Sequence, residues 1–538
     1  MAENAATWSA AGSIPRRLSL LPALALTCSL SACDGGTAGG NAGVSHPDFP
    51  LEATVRTIHD ALAAGTLTCE GLVEYYLARI EAYDDQGPRL NAILAVNPSA
   101  LETAREMDRR YAADGGEGRP LHCIPVIVKD NFDTADMPTT GASVGLAWSI
   151  PPDDAFLVRR LREAGALVLA KSNLTELARG GTTISSLGGQ TRNPYDLART
   201  PGGSSGGTGA AIAANFGVLG TGSDTGQSIR SPASAQSLVG IRATRGLVSR
   251  DGVIPVSSTQ DEVGPIVRTV EDAARMLDAV AGYDPSDPVT ALGVGRRPES
   301  YTDALDPGAL AGARIGLVLD LMGGEAVHEP VNAVVEDAVS AMERAGATIV
   351  RVRIPRLAEL TQAIALSGFE FRIAFNRYLE SLGSGAPLRS LADFVERGDF
   401  HPLFRPGLEA DLSVEAGLSD PEYLRRLARR RELRESVMVI IADNGLDALL
   451  YPHQRRLVVP IGEDQVERNG VLSNSTGFPA ITFPGGFSEP DASAPLGVPV
   501  GMELLGPEWT EPTLIGLAYA FEQATSVRRP PESTPPLP

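Results

Sequence analysis

"CIPVIVKDN", residues 123–131, is an unbroken apolar run that ends abruptly in a lysine, an aspartate and an asparagine. A second such run, "ALVLA" (166–170), follows a helix-like stretch from Asp154 to Ala164. Strands that are apolar throughout, rather than alternating, are buried on both faces, and helices between them do the covering. This predicts an α/β fold: one large domain with a central mixed, mainly parallel sheet covered by helices on both faces. The alternation extends outward in both directions. Leu51, Val55, Ile58 and Leu62 share one helical face that Gly65 ends, and Thr68 caps a second helix carrying Leu72, Val73, Tyr76, Leu77 and Ile80. Downstream come "RIGLVL" (314–319), a helix over 331–344, and "ATIVRVRI" (347–354). Further strands are expected in "LDALLYP", "PAITFPGG" and "VPVGMELLG", with a last helix near 511–524. Residues 380–435 are polar and arginine-rich, as in "YLRRLARRRELRES", and read as helical surface or an insertion. No internal linker divides 51–525, and the Pro-rich segment 526–538 is expected to be disordered.

The chain has 538 residues and a formal net charge of −20, spread rather than blocked into runs. Such a surface repels phosphate backbones, so nucleic acid is excluded as a partner. Residues 1–32 have the layout of a signal peptide: Arg16 and Arg17, the apolar "LSLLPALALTCSL", then "LSAC" ending at Cys33. "LSAC" resembles the lipobox of bacterial lipoproteins, which makes Cys33 the lipidated first residue of the mature chain. Residues 33–50, with "GGTAGGNAG", then form a flexible tether. The expectation is an exported protein that meets the membrane through a lipid anchor only; a simple cleaved signal is the plainer alternative. Of four cysteines only Cys69 and Cys123 remain for the folded body, either as a disulfide or as two small buried thiols. There is no CxxC and no Cys/His cluster, so neither metal nor cofactor is expected.

Two stretches carry chemistry. "RTPGGSSGGTGAA" (199–211) runs straight into the core-like "AAIAANFGVLG", which argues against a linker. It lacks the lysine of a phosphate loop. It satisfies G-x-S-x-G around Ser204 and around Ser205, but the preceding "TRNPYDLARTP" is no buried strand, so a nucleophile elbow does not fit. The other signal is compositional. Of 46 basic residues only Lys129 and Lys171 are lysines. Arginine does not give up its proton in a protein, whereas a desolvated lysine does. A lysine kept at the mouth of an apolar strand in such a chain is either a site where arginine would not serve or a chance survivor of an arginine-biased composition; taken alone the second reading wins, and it loses only once the motifs are taken together.

"PLHCIPVIVKDNFDT", "GALVLAKSNLTELA", "RTPGGSSGGTGAAIAA", "GTGSDTGQSIRSPASAQSLVGIRATRGLVSRDGVIP", "GFPAITFPGG" and "LGVPVGMELLGP", in this order, closely resemble the amidase signature family of Ser–cis-Ser–Lys hydrolases, over roughly 51–525. The resemblance implies that Ser228 is the acylated nucleophile, that Ser204 is a bridging serine joined by a cis peptide to its predecessor, and that Lys129 is the base. It places the oxyanion at the backbone N–H groups of Thr225, Gly226, Gln227 and Ser228, with Ser205, Asp224 and Arg230 supporting the loop or, for Arg230, meeting an anionic substrate. Lys171 reads as structural. The implied activity is hydrolysis of the amide bond of a small molecule or peptide amide; an esterase with the same triad, or an inactive ligand-binding lipoprotein, are the alternatives. Three positions depart from the family pattern: Gln227 for glycine, Ser223 for threonine and Arg242 for lysine. A left-handed backbone at 227 would cost glutamine about 1–2 kcal/mol.

Overall fold

The strands predicted from apolar runs sit side by side in a computed structural model that describes residues 51–116 and 118–537. The signal-like segment, Cys33 and the tether lie outside the described residues. In chain order the strands are β1 (Ile93–Val96), β2 (Pro125–Lys129), β3 (Leu167–Ser172), β4 (Ile184–Ser185), β5 (Gly189–Gln190), β6 (Leu219–Asp224), β7 (Val239–Arg242), β8 (Glu262–Val267), β9 (Arg314–Val318), β10 (Thr348–Val352), β11 (Ala448–Pro452), β12 (Ala480–Phe487) and β13 (Pro499–Leu505). Eleven of them form one sheet in the order β1-β3-β2-β6-β8-β7-β12-β13-β11-β9-β10; β4 and β5 make a separate ladder. The sheet is mixed. Parallel pairing is confined to two flanks, β3-β2-β6 and β11-β9-β10. Between them the ladders from β6 through β8, β7, β12 and β13 to β11 run antiparallel. Every residue of β2, β3, β6, β8, β11 and β13 is buried, which is why those segments lack polar alternation.

Helices flank the sheet. Thr68 caps the helix Cys69–Ile80 by accepting from the Gly71 N–H. The expected helices over 154–164, 331–344 and 511–524 are Phe156–Glu163, Glu329–Arg344 and Glu511–Thr525. The arginine-rich stretch forms Leu391–Arg397, Arg405–Ser413 and Pro421–Asn444. Together with Ser367–Ser381, these helices bury Phe371, Phe375, Phe394 and Leu408 in a cluster with Leu174, Leu177 and Ile254 beside the sheet.

Two expectations are corrected or resolved. The Pro-rich segment expected to be disordered is ordered through residue 537. Buried Arg79 donates to the carbonyls of Thr534 (2.8 Å) and Pro535 (2.9 Å), the Tyr195 hydroxyl donates to Arg529 O (2.6 Å), and Arg528 pairs with Glu52 at 2.6 Å. Prolines offer carbonyls without competing N–H groups, and a buried guanidinium needs acceptors, so the two satisfy each other. Cys69 and Cys123 form a disulfide with Cα atoms 5.5 Å apart, closing the start of one helix onto the segment entering β2.

Candidate active site

β2 delivers Lys129 to the middle of the sheet's parallel flank, where its side chain is fully buried. Its backbone N–H donates to Thr221 Oγ1 on β6 (2.9 Å), fixing the strand end. Nζ donates to Ser204 Oγ (2.8 Å), Ser223 Oγ (2.8 Å) and Ser223 O (3.3 Å). The Ser223 hydroxyl also accepts from Asn131 Nδ2 at 3.0 Å. Among the described residues no carboxylate pairs with this amine. Burial therefore pushes the Lys129 pKa down to about 7, against the upward pull of Asp224 and Asp261. The amine is then substantially neutral near pH 7.

The Gly/Ser-rich loop turns from Pro201 into the helix Gly206–Ala213, which packs on β2 and β6. Its glycines answer to crowding. Gly202 is left-handed (φ 75°), and a Cβ there would lie 2.9 Å from Ser231 O, while a Cβ on Gly207 would collide with Asn173 O. The Gly203–Ser204 peptide bond is cis. Thr175 N donates to Ser204 O (3.0 Å), and Ser205 holds the Ser228 carbonyl through both its N–H (3.3 Å) and its hydroxyl. The structure thus brings Lys129 and Ser204 into direct contact and ties Ser228 to the residue after Ser204. Among the described residues, no hydrogen bond joins the Ser204 and Ser228 hydroxyls.

Ser228 follows β6 across a short turn and is 8% exposed; Thr225, Gly226 and Gln227 are half-buried. The N–H groups of these four residues donate to no acceptor among the described residues, while the next, Ile229 N–H, is taken by Asp224 Oδ2 (3.1 Å). Four free donors side by side form a place for a developing oxyanion. Gln227 is not in the left-handed region, so the substitution carries no strain of that kind.

Beneath the turn lies a buried ion network. Arg230 Nε donates to Asp224 Oδ2 (3.1 Å), Nη1 to Glu503 Oε1 (2.6 Å), and Nη2 to Gly226 O (2.7 Å). Arg242 donates to both the Asp224 carbonyl and its carboxylate. Glu503 also accepts from Tyr451 Oη (2.7 Å) and bonds His453 Nδ1 (2.8 Å). Burial alone would raise the Asp224 pKa, but the guanidinium groups of Arg230 and Arg242 hold it at about 2. Fully buried and paired, Arg230 supports the turn and does not face a substrate. Sequence reasoning missed Asn131, Thr221, Glu503, Arg468 and Asn474, which donates from Nδ2 to Gly226 O at 2.8 Å. Glu503 had a readable signal, a lone acid inside "VPVGMELLG".

Residues 71–515 match the amidase family. The chain is similar to a probable amidase of Arabidopsis thaliana, 36% identical over 89% of this chain and 91% of that protein. It is also similar to one of the subunits of the glutamyl-tRNA(Gln) amidotransferase of a Synechococcus strain, 34% identical over 90% and 95%. Among solved structures, the native peptide amidase of Stenotrophomonas maltophilia aligns with a TM-score of 0.82, 40% identity, and 90% and 99% of the two chains covered.

Proposed function

The chain belongs to the amidase signature family, whose members hydrolyse C–N amide bonds, and we propose that it is an exported amidase acting on peptide amides or small-molecule amides through a Ser228 acyl-enzyme. The observation that carries this is the buried amine of Lys129, 2.8 Å from Ser204 Oγ and with no carboxylate to keep it charged. Neutral Nζ accepts the Ser204 hydroxyl proton as Ser204 Oγ accepts that of Ser228. Ser228 Oγ bonds to the amide carbon, and the carbonyl electron pair moves onto oxygen, where the free N–H groups of residues 225–228 hold it. As the C–N bond breaks, the relay returns the proton to the leaving nitrogen. Water, deprotonated by the same relay, then releases the acid and restores Ser228. The negative surface favours a small amide over a tRNA-linked one.

Ser228→Ala is expected to abolish both amide turnover and labelling by a serine-directed phosphonate. Ser204→Ala is expected to keep a trace, because it removes a relay rather than the nucleophile. Labelling of the Ser228→Ala protein at another serine would sink the assignment. Export is supported by the lipobox-like "LSAC" and by the disulfide, a bond that persists in oxidising compartments. Cys33→Ser should move the protein from the membrane fraction to the soluble one without changing turnover; unchanged membrane association refutes the anchor.

A further inference from the structure

Above the catalytic turn, residues 468–474 ("RNGVLSN") form one wall of the site. Gly470 packs against Gln227 so closely that a Cβ there would lie 2.6 Å from Gln227 Cβ, and Asn474 binds Gly226 O. At the head of this segment stands Arg468. With the Gln227 amide oriented oxygen first, Oε1 accepts from Arg468 Nε (2.9 Å) and Nη2 (3.2 Å). The remaining nitrogen, Nη1, lies against the backbone of Gly181, where any side chain would collide with it. Gly181 in turn adjoins Gly203, whose Cβ position would be 2.8 Å from the Gly181 carbonyl carbon. The guanidinium is therefore wedged between the residue before Ser228 and the backbone that backs Ser204.

This cation has no counter-ion among the described residues. Among the described residues Arg468 forms no ion pair, and Nη1 donates to no acceptor. The surrounding carboxylates are committed: Asp224 to Arg230 and Arg242, Glu503 to Arg230, Tyr451 and His453, and Glu467 to His328 at 3.1 Å. Burial pulls the Arg468 pKa down to about 10, with Asp224 opposing the fall only from a distance. Arg230 and Arg242, in the same region, each have a carboxylate. A half-buried guanidinium held on a neutral amide one residue before the nucleophile, with Nη1 donating to no acceptor among the described residues, is a poor structural element and a good receptor for an anion.

We propose that Arg468, fixed in place by Gln227, is a specificity residue whose free Nη1 edge receives a carboxylate of the substrate, so that the preferred substrates are amides carrying an anionic group close to the scissile carbonyl. The proposal rests on amide hydrolysis at Ser228 as described above. It also gives Gln227 a purpose, since the glycine expected there by resemblance would leave Arg468 without its anchor.

The test uses a pair of amides of nearly equal shape, the α-amides of N-acetyl-aspartate and N-acetyl-asparagine, assayed with the full-length protein at pH 8 and low salt. A charge-assisted hydrogen bond predicts a kcat/KM ratio favouring the aspartyl amide by about tenfold to a hundredfold, expressed mainly in KM and shrinking as salt is raised. Arg468→Gln should bring the ratio close to one, and Arg468→Lys should retain part of it. Equal rates for both amides in the unmodified protein, or a preference that Arg468→Gln leaves intact, overturn the inference while leaving hydrolysis at Ser228 standing. Absence of turnover of both amides in a protein that a serine-directed phosphonate still labels at Ser228 overturns the inference alone; absence of that labelling as well overturns the proposed function with it. The comparison in the unmodified protein decides the matter even if a variant fails to fold.

Discussion

Two lysines stand on neighbouring strands of one sheet, both fully buried, and they have opposite surroundings. Lys171 on β3 contacts the Asp130 carboxylate at 3.2 Å and donates to Phe132 O, Thr134 Oγ1, Pro138 O and Thr139 Oγ1. Lys129 on β2 faces only hydroxyls and a carbonyl. Burial lowers both ammonium pKa values, but at Lys171 the adjacent carboxylate works against the fall. Burial sets the cost of a charge, and the partner decides whether it is kept. Lys171 is a pinned cation tying down the turn after β2; Lys129 is an amine with a lone pair available at neutral pH.

The largest effect expected from breaking this contrast is on turnover. Lys129→Arg keeps a cation of similar reach but cannot release its proton, so kcat/KM should fall by about 10³- to 10⁴-fold in a protein whose circular dichroism is unchanged. Strong turnover by a folded Lys129→Arg enzyme would show that another group is the base.

The next effect is on stability, and it should have opposite signs at the two sites. For Lys129 the folded pKa of about 7 lies below the ordinary lysine value of about 10.4. Between these values the unfolded chain binds a proton that the folded one does not, so stability rises with pH across the window, and the full penalty applies below pH 7. Lys129→Met removes that penalty and should stabilise the fold by on the order of 3 kcal/mol at pH 6, a gain that fades by about pH 10. Lys171→Met strands the Asp130 carboxylate and should destabilise by about 3–5 kcal/mol. Thermal melts at pH 6 and pH 9.5 would test this; parallel shifts of Tm in the two variants contradict the distinction.

What was legible beforehand follows the same division. The scarcity of lysine and the apolar run before Lys129 are local facts, and they pointed to the amine that the structure places against Ser204. The glycine-rich loop was also visible, although the crowding that demands Gly207 comes from Asn173, 34 positions away, and no spacing rule reveals it. The antiparallel centre of the sheet was missed because buried strands read alike in either direction; β6, β7 and β8 carry glycines and no alternation. The order of the Pro-rich tail depends on Arg79, 455 residues from Thr534. Arg468 was one of 44 arginines, and only the fold shows that this one has no carboxylate partner among the described residues.

The smallest effect concerns the tuning of the amine itself. The Ser223 oxygen takes one hydrogen bond from Lys129 Nζ and another from Asn131 Nδ2, so both of its lone pairs are engaged and it serves Nζ as an acceptor. An acceptor favours the ammonium, with its three N–H groups, over the neutral amine. The hydroxyl therefore holds the Lys129 pKa somewhat higher than burial alone would leave it. In the unmodified enzyme kcat/KM should rise with pH through a midpoint near 7 and level off on the alkaline side. Ser223→Ala removes the acceptor and should move that midpoint to lower pH by about half a unit, the equivalent of roughly 0.7 kcal/mol, and lower the plateau only modestly. Ser223→Thr keeps the hydroxyl and should keep the midpoint. A midpoint that moves to higher pH in Ser223→Ala would mean that the hydroxyl donates to a neutral Nζ, so that Ser223, rather than the lack of a carboxylate, holds the proton off Lys129.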